Sequence, residues 1–317
     1  PHVKSEHVRD YLKRLNRTLA ENPREGYLPV WDGELYLEFH RGTYTSQAYN
    51  KKTNRRLEFA IRNAELLSVL GDNPSAKALL WEDWKIILRN QFHDVIPGSS
   101  IHEVYEDCHK EYQEAAELIE AAVQQSTAAL LKKEEDAVTV YNTSSWPQSQ
   151  IIERDGKQAL VQELPPFTAK VLTSSDFVSN TPMVSASAHE CQTAFYRVSW
   201  NKQGQLTSIY DREAKRELLQ NGLCGNVFQL FEDKPRQFDA WELEASFEDK
   251  MDTVRELKKV TVTKGVYSDT VHFVWSYKHT TIRQDMVLYA HTKRIDFKTE
   301  IDWQEREKIL KVAVDQI

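Results

Sequence analysis

Several absences narrow the chemistry open to this chain of 317 residues. It has only three cysteines, Cys108, Cys191 and Cys224, odd in number, widely spaced and in no Cys-x-x-Cys arrangement. That argues against a disulfide framework or a cysteine zinc site and fits a reducing compartment. No apolar run approaches the roughly 20 residues of a membrane span. Pro1 to Glu6 leads into a polar helix and not into a secretory leader. Positive charge is in deficit, and the net charge of −7 argues against nucleic acid or an anionic membrane as a partner. The chain holds no Gly-x-Gly-x-x-Gly, P-loop, His-Glu-x-x-His or Gly-x-Ser-x-Gly, so nothing points to a nucleotide enzyme or a serine hydrolase.

What is present suits a soluble globular protein of about two domains, with 40% hydrophobic and 28% charged residues. The first 135 residues are helical in character. Val8, Leu12, Leu15 and Leu19 recur at helical spacing up to Asn22-Pro23. Tyr27 to Trp31 is strand-capable, and Gly33 to His40 alternates apolar and acidic residues as a half-buried strand does. Helices are predicted over Asn54–Leu70, Pro74–Arg89 and Ile101 to about Lys133. Their short connections make them antiparallel neighbours in a three-helix bundle. From Val138 the period becomes that of strands, plain at Val260–Val266, Val271–Tyr277, Thr280–Tyr289 and Arg294–Trp303. Strands without intervening helices indicate an antiparallel β-sandwich. The charged run Lys132 to Asp136 suits a linker, and both ends of the chain read as cut, as in an internal piece of a larger protein.

Four groups of residues could carry chemistry. Gln91 to Ser100 sets His93 and Asp94 side by side where one helix stops. Pro97-Gly98 punctuates the chain there, and Ser100-Ile101-His102-Glu103 reads as a capping box for the next helix. A neutral imidazole is a good zinc ligand, and the neighbouring carboxylate can ligate, orient or hold a sugar hydroxyl. Such a pair also serves structurally, because Asp pairs readily with orphan backbone N–H groups. Glu38 to Ser46 crowds His40, Arg41, Tyr44 and several hydroxyls around Gly42, as in a carbohydrate pocket. Its plainer reading is a strand-to-helix turn with Thr45 or Ser46 as cap and an Arg41–Glu38 pair. Phe231 to Pro235 and Phe238 to Glu242 interleave acids with aromatics, as a sugar platform or as a loop folded on its own domain. His102 and His109 lie two helical turns apart, too far to share a metal, and read as surface or packing residues. A complete zinc site needs about three protein ligands, and His93 is the one persuasive candidate.

Taken together, five ordered segments resemble the α-mannosidases of glycoside hydrolase family 38. They are Gly33 to Ser46, Asn90 to Ser100, Gly204 to Asp211, Glu232-Asp233-Lys234-Pro235 with Asp239-Ala240-Trp241, and Asp302 to Val312. The resemblance implies a retaining exo-α-mannosidase with one catalytic zinc, acting on mannose-containing oligosaccharides. It also implies an N-terminal α/β domain with a His-x-Asp pair and an aspartate nucleophile, then a helical bundle supplying a further His, then β-sandwich domains. His93 matches that last zinc ligand and Asp94 the adjacent acid near the substrate. His40 falls where a substrate-facing aromatic stands in some relatives. The wording of the segments at His40 and His93 is similar to the bacterial and cytosolic branch, which makes the cytoplasm the expected location; the resemblance also implies a homo-oligomer as an expected state, since enzymes of the family often associate.

The chain departs from that pattern at its start, where no His-x-Asp and no nucleophile segment can be matched. The expected fold class is therefore α+β and multidomain. Residues 1–50 form a remnant of an α/β catalytic domain, 51–134 a three-helix bundle and 135–317 a truncated β-sandwich. No catalytic residue is assigned within the chain, and the nucleophile is expected upstream. Retaining hydrolysis needs two carboxyls about 5–5.5 Å apart, so the piece alone is expected to be inactive and to bind zinc weakly or not at all. A non-catalytic carbohydrate-binding or interaction module is the alternative reading.

Overall fold

A computed structural model describes residues 3, 5–21, 30–33, 40–130, 136–179, 183–186 and 189–314. The strand-capable segments Tyr27–Trp31 and Gly33–His40 fall almost wholly outside these residues, as does most of the charged linker. The fold is α+β. Helix α1 (Val8–Glu21) carries the Val8–Leu19 stripe, and none of its residues is buried.

Three further helices follow, α2 (Ala48–Leu70), α3 (Ala76–Arg89) and α4 (His102–Leu130). They bury one core built from Leu57, Ile61 and Ala64 of α2, Leu80 and Ile87 of α3, and Tyr112, Ala115, Ile119 and Ala122 of α4. Apolar residues three and four apart make a stripe on each helix. The alanines at the crossing points let the backbones approach closely. Helix α2 starts six residues before the predicted Asn54 because its first two turns bury a polar face, Asn50, Thr53 and Asn54, which hydrophobic periodicity cannot detect.

The capping box expected at Ser100 does not form. Its N–H donates to Tyr105 Oη at 2.8 Å, not to Glu103, and its hydroxyl donates to the Asp94 carbonyl at 2.5 Å. The serine thus ties the start of α4 back to the His93–Asp94 loop.

The strands divide between two cores. Val138–Tyr141 pairs with Ala169–Leu172, and Gln148–Arg154 with Lys157–Leu164, around Ala159, Val161, Leu164, Leu172 and Phe177. The larger unit has a five-stranded antiparallel sheet in which Ser268–Tyr277 and Thr280–Tyr289 are central. Along Thr280–Tyr289 the alternate residues Thr280, Ile282, Gln284, Met286 and Leu288 are buried, as a pleated strand requires. Ile282, Met286 and Leu288 share a core with Val198 and Trp200 of a four-stranded sheet and Phe228 and Leu230 of a three-stranded one, giving a sandwich. Lys308–Ala313 closes the last of these sheets against Val227–Glu232. Among the described residues no helix is long and apolar enough to cross a membrane.

Candidate functional site

The candidate site begins where α3 ends. Asn90 caps the helix with its N–H on the Ile86 carbonyl, and its side-chain amide donates to Ile86 O and Glu111 Oε2 at 3.0 and 2.8 Å. The Gln91 amide donates to Asn54 Oδ1 at 3.0 Å and Glu58 Oε1 at 2.7 Å. Asn54 in turn donates to Ile87 O and Tyr112 Oη, both at 3.1 Å. Burial pushes the Tyr112 phenol up to about 12, so it stays neutral and can accept that bond. The base of the loop is thus held by hydrogen bonds inside the bundle, where unpaired groups would cost about 1–3 kcal/mol each.

On that base the chain turns outward. His93 is 79% exposed at its side chain, and its ring stands tilted at 43° to that of Phe92, with ring centroids 4.2 Å apart. Its Nε2 lies 3.6 Å from Asp94 Oδ2. The Asp94 carbonyl accepts the Ser100 hydroxyl, which fixes the backbone that presents both side chains.

The His40–Ser46 segment meets this loop directly. It forms a short 3₁₀ turn, Arg41–Tyr44, in which the Thr43 hydroxyl donates to the His40 carbonyl at 2.6 Å. Neither Thr45 nor Ser46 caps α2. Gln47 holds the cap position in a left-handed conformation, and Ser46 instead donates its hydroxyl to Gly42 O and Ala240 O, both at 2.9 Å. Lys51 Nζ donates to the Ser46 carbonyl at 2.5 Å and the Ile96 carbonyl at 2.7 Å, and burial pulls its pKa down. Gly98 has φ +90, and a Cβ there would stand 2.6 Å from the Ser46 oxygen. Only glycine suits that conformation and that approach.

The third segment closes on the second. The Gly42 N–H donates to the Trp241 carbonyl at 2.8 Å, and a Cβ on Gly42 would press on the Trp241 and Glu242 backbone at 3.0–3.1 Å. The His40 and Trp241 rings stand 4.8 Å apart at 38°. The Phe238–Glu242 loop is therefore packed across the helical part, and not only on its own domain. Phe231 is buried against Phe247 and offers no sugar platform, because it lies on an inner strand. Asp233 has a buried, unpartnered Oδ1, and burial, then nearby Asp239, raises its pKa.

The structure thus ties the segments of His40, of His93 and Asp94, and of Trp241 to one another through contacts at Ser46 and Gly42. His102 lies apart on α4, paired with Glu106 at 3.3 Å, and His109 packs on Tyr49 with centroids 4.3 Å apart. Lys51 was invisible to sequence reasoning, since a lysine near a helix start reads as solvated. So was the Gln91–Asn54–Glu58 anchor, whose partners come from a different helix. Among the described residues no three His, Cys, Asp or Glu side chains cluster to hold a metal. His93 and Asp94 together offer two donors where a catalytic zinc takes about three protein ligands, so the described residues do not by themselves fit a zinc ion.

Comparison with known proteins gives a consistent result. Residues 38–130 match the family model described as the alpha mannosidase middle domain, and residues 191–316 match the glycosyl hydrolases family 38 C-terminal domain. The chain is 29% identical to Alpha-mannosidase 2C1 of Homo sapiens, an alignment covering 96% of this chain and 33% of that protein. It is 31% identical to Alpha-mannosidase of Saccharomyces cerevisiae, over 96% of this chain and 28% of that protein. The chain therefore spans about a third of the length of the curated relatives it matches. An alpha-mannosidase structure from Enterococcus faecalis shares the fold with a TM-score of 0.68 and 14% identity, over 96% of this chain and 47% of that chain.

Proposed function

We propose, for a chain that belongs to glycoside hydrolase family 38, that the protein it represents is a zinc-dependent, retaining exo-α-mannosidase of the cytoplasm. Its substrates are mannose-containing oligosaccharides. The observation that carries this reading is the junction at Ser46. There the segment of His40, the loop of His93 and Asp94 and the loop of Trp241 are tied together through Lys51, Gly42 and Gly98.

In this reading His93 gives one imidazole nitrogen to the zinc, and the remaining ligands come from residues outside this chain. Asp94 steadies the ring or takes a sugar hydroxyl, and the His40–Trp241 pair borders the sugar. A bound zinc would hold sugar hydroxyls as a Lewis acid. The nucleophile and acid/base carboxyls also lie outside this chain, so the chain alone hydrolyses no mannoside. The free state of Cys108, Cys191 and Cys224 supports a reducing compartment.

The test compares the complete protein with its His93→Ala variant for zinc content and hydrolysis of an aryl α-mannoside. The expected wild type holds about one zinc per chain, and the folded variant loses both metal and activity. Retention of both by the variant would overturn the assignment of His93.

A further inference from the structure

A second feature lies at the opposite end of the bundle. Between the last turns of α2 and the first of α3 runs a groove of about 530 Å³. Its lining combines Leu80, Trp81 and Trp84 with Glu65, Asp72 and Lys77. It opens near the N-terminal end of α3, whereas His93 follows that helix's C-terminal end. The 14 residues of α3 separate the two by about 20 Å.

We propose that this groove is a binding site for a neutral oligosaccharide, distinct from the His93 surface. Trp81 is 63% exposed, with Lys85 Nζ 5.9 Å from its ring centroid. Trp84 is held in place by its Nε1 donating to Glu65 Oε1 at 2.8 Å. The charged groups of Asp72 and Lys77 have no partner among the described residues. A purely apolar occupant would strip water from these three charges without replacing it. A globular protein partner wants about 800 Å² on each side, while this volume falls within the range typical of small-ligand sites. A pyranose meets both demands. Its C–H face stacks on an indole, and its hydroxyls donate to Asp72 and Glu65 and accept from Lys77.

Mannose is the first sugar to try only because of the family reading. The site itself rests on its own geometry, so the two can fail separately. The experiment titrates the chain with α-mannotriose and, in parallel, with cellotriose, following the indole N–H resonances of Trp81 and Trp84. Saturable shifts of those resonances are expected. Trp81→Ala should weaken binding by about tenfold or more, Trp81→Phe should retain most of it, and His93→Ala should leave it unchanged. Binding of cellotriose alone would uphold the groove as a sugar site and count against the mannoside reading. If Trp81→Ala loses the native amide spectrum, Asp72→Asn replaces it, with weaker binding expected. Failure of both sugars to shift the two indoles, or binding that survives Trp81→Ala in a folded protein, overturns the proposal. So does occupancy by a proline-rich peptide in place of sugar.

Discussion

Asp83 provides a sharp test of the physical reasoning. It sits on α3 facing the bundle core with 0% exposure, and neither carboxylate oxygen has a hydrogen-bond partner. Burial, and then the charge of Glu114, raises its pKa from the ordinary 3.8 to about 6. The native state therefore binds a proton more tightly than the unfolded chain, and stability falls as pH rises from about 4 to about 6, then levels off. A shift of this size is at most about 3 kcal/mol against the fold at neutral pH and about 1.5 kcal/mol at pH 5. Asp83→Asn keeps the shape and the two polar atoms but removes the titration. The variant should be more stable than wild type near pH 7, with an advantage about 1 kcal/mol larger there than at pH 5. Urea unfolding at both pH values, followed by the far-ultraviolet circular dichroism of the helices, measures the difference. An advantage independent of pH, or a destabilised variant at pH 7, would refute the argument that an uncompensated buried carboxylate limits this bundle.

Two further outcomes follow from the junction. Gly98→Ala forces a Cβ against the Ser46 carbonyl in a left-handed conformation, and it should cost about 2 kcal/mol or more, read as loss of thermal stability together with faster amide exchange over residues 93–100. Lys51→Met leaves the Ser46 and Ile96 carbonyls without their donor, at about 1–3 kcal/mol. Protease sensitivity should rise at the His93 loop and at residues 40–46 together, and a rise at only one of them would break the proposed tie.

Much of the fold was legible in the sequence because it depends on local periodicity. The stripe Leu57, Ile61, Ala64 identified α2, and the alternation from Thr280 to Tyr289 predicted that strand residue for residue. Gly71 marked the end of α2 correctly. The start of α2 was missed because Asn50, Thr53 and Asn54 are buried polar residues, which carry no hydrophobic signal. The capping box at Ser100 failed for a related reason. A tetrapeptide pattern cannot show that Tyr105 would take the serine's N–H and the Asp94 carbonyl its hydroxyl.

The candidate site divides along the same line. The sequence alone determined which residue types stand beside one another: His93 next to Asp94 at a helix end, Gly42 amid hydroxyls, acids among aromatics before Trp241. Those are facts of short range, set by neighbours along the chain. Only the tertiary structure decided that these three segments, up to 200 or so residues apart in the chain, meet one another, and that Phe231 belongs to a core. Contacts such as Ser46 to Ala240 or Lys51 to Ile96 depend on how helices and sheets pack. That packing is chosen by the sum of buried area over the whole chain and is written at no single position.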